Sequence, residues 1–435
     1  MTLLVITPDY ASHVLPLATL ATAWRDAGSD VVVATGPATA SVVAGFGLDR
    51  VDLPLGRGSN AGVMRAGEQP KDEAASLEGF FDATRRGMVP TLGYQARERL
   101  TDLMWDPVGR ARRTLEVVEQ VAPDAILVDH LAFSARLALQ TAGIAYGDVV
   151  LGHPSALPVA GEVYGYPPAW PRAFAPSAGE LDDLRRLCTE VARRFTEQWN
   201  VAARELDPAA AETPDAFASH GDTVLYNYPA ALAAGDGRVL PPHAFLGSTR
   251  RAERVDDDVE RWLADGEPYA YVSFGSFLSV RDDVLARVAE SLRRVGLRAA
   301  VATGAGDPAA LGEIPATWLV RDVLPQVRLL GGAALAVTHG GNNSVTEAVG
   351  QGVPLLVLPF STDQFAGAAA VERRGIGRVL DPNRAGAAAL ADAIREVVSL
   401  GAGPRALLDD VAREQGLRPG PGIAYDALTG ASATS

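Results

Sequence analysis

Short apolar segments alternate with helical segments along this chain, and the alternation limits the folds that it can adopt. Residues 3–6 and 31–34 are apolar runs of strand length. Between them, residues 14–27 have helical spacing, with Pro16 in the first turn and Gly28 after the end, which are favourable positions for these two residues. A strand, a helix and a strand in this order form a parallel βαβ unit. The chain therefore begins as an α/β domain.

The alternation continues and then restarts in the second half of the chain. Residues 125–128 and 145–151 are further predicted strands of the first half. The second half has a predicted helix at 282–294 and predicted strands at 269–274, 298–303, 335–337, 355–358 and 377–380. A length of 435 residues suits two or three domains.

We therefore predict two open α/β domains in succession. The first covers residues 1–235 and the second covers residues 236–435, and they are joined within residues 227–251, which carry several prolines and glycines. The last helix is a candidate to pack back on the first domain.

The composition disfavours several classes of function. The formal net charge of −14 disfavours a nucleic-acid surface, which needs a clustered basic face. Cys188 is the one cysteine, which excludes an internal disulfide and suits a reducing compartment. The start carries no basic signal segment, and no apolar run approaches the roughly 20 residues of a membrane helix. We expect a cytoplasmic protein that handles a small molecule, without nucleic-acid or membrane partners.

A polar turn follows the apolar run at residues 335–337. Its members are His339, Gly340, Gly341, Asn342, Asn343 and Ser344. Ligands of open parallel sheets bind at the carboxyl ends of strands, where a helix N-terminus favours anions. The glycines let a ligand approach the backbone closely, and the polar side chains supply donors, so we interpret the turn as a diphosphate cradle. Asn343 and Ser344 are equally suited to cap a helix.

Asp363 and Gln364 follow the next apolar run, at residues 355–358. A carboxylate and an amide at this strand end are suited to accept hydrogen bonds from hydroxyl groups beyond the phosphates. Phosphates followed by hydroxyls indicate a nucleotide-sugar as the ligand.

The order and spacing of these residues resemble the donor-binding signature of the UDP-glycosyltransferase family, in its plant-type form. The resembling segments are Val323-Leu-Pro-Gln326, His339 to Glu347, Gly352-Val-Pro354, Pro359 and Asp363-Gln364, together with Tyr271 to Ser276 and the region of His13. The resemblance covers most of the chain. It implies the GT-B fold, in which two Rossmann-like domains face each other across a cleft.

The resemblance also implies a role for each matching residue. The residues implied to contact the diphosphate are His339, Ser344, the backbone of Gly341, Asn342 and Asn343, and Ser276 from the opposite side. Glu347 is implied to accept from the ribose hydroxyls, Gln326 to lie near the base, and Asp363 and Gln364 to hold the sugar. No cofactor is implied beyond the nucleotide-sugar co-substrate.

Two residues depart from the pattern of the family. Val323 stands where many relatives have a tryptophan that stacks on the base, which leaves the choice between UDP and TDP open. Glu347 favours UDP, because a ribose diol offers a carboxylate two donors and deoxyribose offers fewer. The second departure is Ser12, which precedes His13 where relatives usually have glycine.

His13 is the candidate base, since it follows the first strand at the start of the first helix. Direct glycosyl transfer needs a group that removes the acceptor proton, and histidine titrates in the required range. Asp129, at the end of the strand at 125–128, is the candidate partner that fixes the tautomer and stabilises the imidazolium. The resemblance implies the same roles. Each residue alone also suits a capping function, and we interpret His130 as a bystander.

No metal site is expected. Asp256, Asp257 and Asp258 form an acidic run, but its position before an amphipathic segment is typical of the first turn of a helix. The diphosphate charge is instead expected to be stabilised by backbone amides and His339.

The acceptor pocket is expected in the loops of the first half, where aromatic side chains cluster. The candidate acceptor-binding residues are Phe80, Phe81, Phe133 and Tyr164. Such residues suit a small apolar or aromatic acceptor, although Phe80 and Phe81 are equally suited to anchor a helix to the core.

The sequence predicts a metal-independent, inverting glycosyltransferase that moves a hexose from a nucleotide-sugar, preferably a UDP-sugar, to a hydroxyl of an apolar natural product. The alternatives are a TDP-deoxysugar-dependent glycosyltransferase of antibiotic biosynthesis, a nucleotide-sugar 2-epimerase of the same fold, and a nucleotide-sugar binding protein without catalysis. A dehydrogenase is disfavoured because no GxGxxG follows the first strand.

Overall fold

The computed structural model describes residues 1–62, 71–102, 105–253, 255–278 and 281–430. Within these ranges the first half of the chain forms one parallel sheet with helices around it. Its strands are β1 (Thr2–Ile6), β2 (Asp30–Thr35), β3 (Asp49–Asp52), β4 (Ala125–Asp129), β5 (Gly147–Val150), β6 (Thr223–Tyr226) and β7 (His243–Phe245). Its helices are α1 (Ala11–Asp26), α2 (Ala40–Gly45), α3 (Lys71–Arg86), α4 (Met88–Asp102), α5 (Pro107–Val121), α6 (Phe133–Thr141), α7 (Ala178–Leu206) and α8 (Ala230–Ala233).

The second half forms a separate parallel sheet. Its strands are β8 (Tyr269–Ser273), β9 (Arg298–Ala302), β10 (Leu319–Arg321), β11 (Leu335–Thr338), β12 (Leu355–Val357) and β13 (Gly377–Val379). The helices of this half are α9 (Asp257–Ala264), α10 (Gly275–Leu278), α11 (Asp282–Val295), α12 (Gln326–Leu330), α13 (Asn342–Val349), α14 (Gln364–Arg374), α15 (Ala387–Val398), α16 (Ala402–Leu417) and α17 (Gly420–Thr429).

Both sheets have the doubly wound order that parallel βαβ units produce. The first runs β3-β2-β1-β4-β5-β6-β7 and the second runs β10-β9-β8-β11-β12-β13. The central strands are apolar on both faces because helices cover both faces of each sheet; all five residues of β8 are buried, for example. The prediction of two successive α/β halves with parallel sheets is confirmed.

The first sheet extends past residue 235, where the sequence analysis places the end of the first domain. β7 pairs with β6 through Val224 and His243, so residues 243–245 belong to the first sheet. This strand is three residues long and has no buried position, so it lacks the apolar run by which a strand is recognised.

The last helix, α17, packs on α1 of the first half. The rings of Trp24 and Tyr425 meet edge to face with centroids 5.1 Å apart, and Ala424 is fully buried in the core of the first sheet. The chain thus crosses back to the first half at its end.

Helices α3 and α4 connect the two halves on one side of the cleft. Asn383 of the second half donates through Nδ2 to the carbonyl oxygen of Thr84 in α3 (2.8 Å). Gln95 of α4 accepts from the backbone nitrogen of Thr362 (3.1 Å). These helices therefore bring side chains of the first half against the carboxyl ends of the second sheet.

Candidate active site

A cleft of about 830 Å³ lies between the carboxyl ends of the two sheets. The first half contributes His13, Tyr164 and residues of α3 and α4 to its walls, and the second half contributes His339 and Glu347. The cleft therefore brings together the residues that the sequence analysis assigns to base catalysis and to the donor.

His13 and Asp129 form a hydrogen-bonded pair at the first sheet. Nδ1 of His13 lies 2.7 Å from Oδ2 of Asp129. The pair forms because β1 and β4 are neighbours, so that the loop after β1 and the last residue of β4 meet at one edge of the sheet. The other oxygen of Asp129 accepts from the backbone nitrogen of Leu131 (2.9 Å), which holds the carboxylate in place.

The charge environment of His13 favours its protonated form. Burial lowers the pKa of His13, but the neighbouring carboxylates of Asp129 and Asp363 outweigh it and raise the pKa above its ordinary value. The His13 side chain is 22% exposed and the Asp129 side chain is 1% exposed. Because Asp129 binds Nδ1, the ring presents Nε2 for proton transfer in the cleft.

A second histidine–aspartate pair lies beside the first one. Nδ1 of His130 lies 2.9 Å from Oδ1 of Asp148, and Arg136 approaches the same carboxylate to 3.6 Å. All three side chains are buried. Burial and Arg136 lower the pKa of His130, so it is neutral and His13 is the better base. Asp148 is a charged residue inside the apolar strand β5, and this is the signal by which the pair is recognisable in the sequence.

The turn between β11 and α13 holds His339 against two glycines. A Cβ on residue 341 would overlap Nε2 of His339, and a Cβ on Gly275 would lie 2.9 Å from Cε1. Gly340 has a φ of +84°, which favours glycine. Burial lowers the pKa of His339 to about 4, so the ring is a neutral hydrogen-bonding group.

Helix α13 begins at Asn342, within the polar turn itself. The side chains of its first two residues reach the first half of the chain. Asn342 donates to the carbonyl oxygen of Asn227 (2.8 Å), and Asn343 donates to that of Ser12 (2.9 Å). These two side chains therefore join the halves beside His13, and their backbone amides and Ser344 form the helix N-terminus in the cleft wall.

Glu347 is 1% exposed and holds two donors within the protein. Its Oε1 accepts from Arg251 (2.8 Å) and its Oε2 accepts from Gln326 (2.6 Å). Burial raises the pKa of Glu347, and Arg251 and Gln326 oppose that shift. Arg251 is a cleft residue that the sequence analysis does not identify, because it lies in the segment interpreted as a connector.

The loop after β12 places Asp363 at the contact between the halves. Oδ2 of Asp363 accepts from the backbone nitrogen of His153 (2.6 Å). Gln364 uses its amide to hold its own loop, since Oε1 accepts from the backbone nitrogens of Phe360 and Ser361. Asp363 and Gln364 both line the cleft. Thr362, between Ser361 and Asp363, has a φ of +51°, a strained conformation of the kind found at functional sites.

Val323 and Ser276 complete the predicted donor residues. Val323 is 67% exposed and lines the cleft. The side chain of Ser276 lies outside the described part of the chain.

The predicted acceptor residues divide into two groups. Phe80 and Tyr164 line the cleft, and Phe80 also packs against the core of the second half. Phe133 is 1% exposed, with its ring packed edge to face on Phe195 and Phe217, so it lies in the core and not in the described cleft wall. Phe133 begins α6 and faces the core, where α6 packs on α7. Phe81 packs against Phe80 (centroids 5.6 Å apart) and is not part of the cleft wall among the described residues.

The acidic run lies at the start of α9, as predicted. Asp256 accepts from the backbone nitrogen of Val259 (2.9 Å) and caps the helix, and both Asp256 and Asp258 pair with Arg321. In the described ranges, no group of three or more metal-binding side chains comes together. Across those same ranges no helix has both the length and the apolar character needed to cross a bilayer.

Comparisons with known proteins find similarity to glycosyltransferases. Residues 195–401 match the family model described as UDP-glucoronosyl and UDP-glucosyl transferase. NDP-glycosyltransferase YjiC of Bacillus licheniformis is 28% identical over 155 residues, which are 35% of this chain and 39% of that protein. Oleandomycin glycosyltransferase of Streptomyces antibioticus is 30% identical over 202 residues, which are 46% of this chain and 44% of that protein. The chain thus spans less than half the length of these two curated relatives.

Solved structures share the whole fold at lower sequence identity. The glycotransferase of kitacinnamycin superposes with a TM-score of 0.66 at 21% identity and covers 98% of this chain and 97% of its own. Glycosyltransferase VinC, solved in complex with DTDP, gives 0.66 at 18% identity and covers 98% of each chain. The predicted GT-B fold is confirmed by these neighbours and by the two sheet orders. Residues 195–401 are thus similar to the UDP-glucoronosyl and UDP-glucosyl transferase family, and the whole chain shares the fold of solved glycosyltransferases.

Proposed function

We propose that this protein is an inverting glycosyltransferase that transfers a hexose from a nucleotide-sugar to a hydroxyl of an apolar natural product. The observation that carries the proposal is the meeting of two groups in one cleft. The His13–Asp129 pair comes from the first half, and the polar turn of His339 comes from the second. Asn343 bonds to the carbonyl of Ser12, directly beside His13 (2.9 Å).

In this mechanism His13 is the base. The acceptor oxygen attacks the anomeric carbon while its proton moves to Nε2 of His13, and the bond from the anomeric carbon to the diphosphate oxygen breaks. Attack opposite the leaving group inverts the anomeric configuration. Asp129 stabilises the imidazolium that forms, and this base contributes on the order of 10²–10⁴-fold to the rate.

The leaving diphosphate gains negative charge in this step. The backbone amides at the start of α13 and the neutral ring of His339 are positioned to stabilise it. Asp363 and Gln364 are proposed to orient the sugar from the loop after β12, where they line the cleft. Since Asp363 also accepts from His153, sugar binding and contact between the halves share one carboxylate.

UDP is the favoured nucleotide. Glu347 accepts one hydrogen bond on each oxygen from the protein, and each oxygen keeps a lone pair for a ribose hydroxyl. The description of the matching family supports the same choice.

TDP is the alternative, and specific observations favour it. Val323 offers no stacking surface comparable to tryptophan, and two structural neighbours, VinC and the spinosyn rhamnosyltransferase SpnG, were solved with thymidine diphosphate. Oleandomycin glycosyltransferase and demethyllactenocin mycarosyltransferase are named for antibiotic substrates, which supports a natural-product acceptor.

A transfer assay tests the catalytic proposal. Wild-type protein is incubated with UDP-glucose or TDP-glucose and a panel of phenolic and macrolide acceptors, and the product's anomeric configuration is read by NMR. We expect an inverted glycoside, and His13→Ala should lower the rate by about 10²-fold or more while UDP affinity stays nearly the same.

His243→Ala is the matched control, because His243 is exposed and bonded to the carbonyl of Pro241 away from the cleft wall. Equal losses of rate and UDP affinity in His13→Ala would indicate a structural histidine. A sugar nucleotide epimerised at C2, without any glycoside, would support the epimerase instead.

A further inference from the structure

One arginine at the acceptor side of the cleft has a donor nitrogen without a partner among the described residues. Arg99 of α4 lines the cleft, and within the parts of the chain that the structure describes its Nη1 has no hydrogen-bond partner. Its Nη1 is buried. The other arginine in the cleft wall, Arg251, differs because it pairs with both Glu253 and Glu347. A buried donor without an acceptor is unfavourable, so the position of Arg99 suits a ligand that supplies one.

The guanidinium of Arg99 is held by its surroundings even without that partner. It lies over the ring of Tyr164, with Cζ 4.6 Å from the ring centroid. Gly165 lies against Nη1, and a Cβ on residue 165 would overlap this nitrogen. Gly165 also has a φ of +84°, where glycine is favoured. A planar guanidinium fixed on an aromatic ring is preorganised for a carboxylate, which accepts two parallel hydrogen bonds.

Arg99 lies close to the reaction centre along α4. Gln95 is four residues earlier and bonds to the backbone of Thr362, next to Asp363. Residues four apart share one face of a helix and are about 6 Å apart along its axis. A ligand group bound to Arg99 therefore lies on the face of α4 that also contacts the loop of Asp363.

The hydrogen bond described for the adjacent carboxylate is not to Arg99. Glu98 precedes Arg99 in sequence and lines the same cleft, and neighbouring residues on a helix point in different directions. Its Oε2 accepts from Oγ of Ser76 in α3 (3.1 Å).

We propose that Arg99 binds a carboxylate of the acceptor, so that the acceptor is an aromatic or polycyclic hydroxy acid. The reacting hydroxyl would lie at His13 and the carboxylate at the far side of the ring system, with Tyr164 and Phe80 beside the apolar body. This inference rests on the proposed function, since it identifies the chemical class of the second substrate.

The test compares an acid with its own ester. 4-Hydroxycinnamate and its methyl ester share the phenol and the ring and differ in the charge at the other end. Each is titrated calorimetrically into the protein with and without UDP. We expect the acid to bind to the wild type at least about tenfold more tightly than the ester, as a charge-assisted pair allows.

Matched variants identify the responsible residue. Arg99→Gln should bring the ratio of the two affinities to about one, and Arg99→Lys should keep part of the preference because the charge remains. Arg97→Gln is the control: it makes the same change of charge on an exposed residue of the same helix, and it should leave the ratio unchanged. Circular dichroism and thermal unfolding verify that each variant is folded.

Equal binding of acid and ester by the wild type, or no binding of the acid, would overturn the inference. A preference that survives Arg99→Gln would do the same. The UDP titration distinguishes failure of this inference from failure of the proposed function. If UDP binds normally but the acid is not preferred, only the inference about Arg99 is wrong. If UDP does not bind, the proposed donor site is wrong, and the acid–ester comparison in the absence of UDP still tests Arg99.

Discussion

Two histidines of the cleft differ in charge because their neighbours differ. His13 lies beside the carboxylates of Asp129 and Asp363, which outweigh burial and raise its pKa. His339 lies among glycines and backbone, where burial lowers its pKa to about 4. One imidazole of the cleft therefore has a raised pKa and the other is neutral, which suits their proposed roles as base and as hydrogen-bonding group.

The pH dependence of the transfer rate tests the proposed role of His13. His13 acts as a base only when deprotonated, so the wild-type rate should rise with pH through a pKa above 6.5, the ordinary value of histidine. Asp129→Asn removes the strongest influence that raises the pKa of His13. The acidic limb of the pH–rate profile should therefore move to lower pH, while the maximal rate falls by about 10²-fold or more.

Asp52→Asn, at an exposed acid of the same half, is the control and should reproduce the wild-type profile. An acid limb that stays at the same pH in Asp129→Asn would assign the titration to another group.

The proposed preference for UDP also depends on a single residue, Glu347. Glu347→Gln keeps the shape of the side chain and an oxygen for Arg251, but it loses the charge that binds a ribose diol. We expect it to weaken UDP binding more than TDP binding, measured by calorimetry for both nucleotides.

Glu253→Gln removes the other carboxylate partner of Arg251 and should affect both nucleotides equally. Equal losses of UDP and TDP affinity in Glu347→Gln would remove the reason for favouring UDP.

At the scale of elements, the turn between β11 and α13 depends on glycine at each step. Gly340 supplies a positive φ, and Gly341 leaves room for the ring of His339. A side chain at residue 341 requires no unusual backbone angle, because its φ is −59°. Its effect would therefore come from the displaced histidine ring.

Gly341→Ala should lower UDP affinity by about tenfold or more and destabilise the protein by about 1–3 kcal/mol, the usual range for overpacking. Gly367→Ala is the matched change inside α14, where a new Cβ meets nothing within 4 Å. It should leave UDP affinity unchanged and raise stability by about 0.5–1 kcal/mol. Calorimetry and urea denaturation measure the two quantities. Unchanged UDP affinity in Gly341→Ala would mean that His339 does not contact the diphosphate.

The elements that carry long apolar runs were predictable, whereas short or polar ones were not. β1, β8 and β11 appear in the sequence as buried runs, but β3 (DRVD) is an edge strand with no buried residue. The sequence also indicated which residues meet in the cleft, because strand ends of parallel sheets converge. It did not indicate that Arg251 is a partner of Glu347, since this contact joins residues that are 96 positions apart. The location of Phe133 in the core was not predictable either, because an aromatic side chain suits a pocket and a core equally.

At the scale of the whole molecule, the two halves are joined by contacts that involve the site itself. Asn343 and Asp363 bond to backbone atoms of the first half beside His13 and at His153. A second connection is formed at the end of the chain, where α17 packs on α1. The arrangement of the cleft thus depends on elements that lie far apart in sequence.

Tyr425→Ala tests the contribution of the last helix. Tyr425 packs edge to face on the buried Trp24, so the truncation should lower the free energy of unfolding by about 2 kcal/mol. Tyr425→Phe retains the ring and should be within about 0.5 kcal/mol of the wild type. Urea denaturation followed by tryptophan fluorescence measures both variants. If Tyr425→Ala left the free energy of unfolding unchanged, the packing of α17 would not stabilise the first half.

The proposed function requires that the cleft is a site for a nucleoside diphosphate carrying a sugar. Calorimetric titration of the wild type with UDP, TDP and NAD tests it most directly. We expect micromolar binding of UDP or TDP at one site per chain, and no binding of NAD. If neither UDP nor TDP binds, or if NAD binds in their place, this requirement is not met, because the turn at His339 would then be a packing feature rather than a donor site.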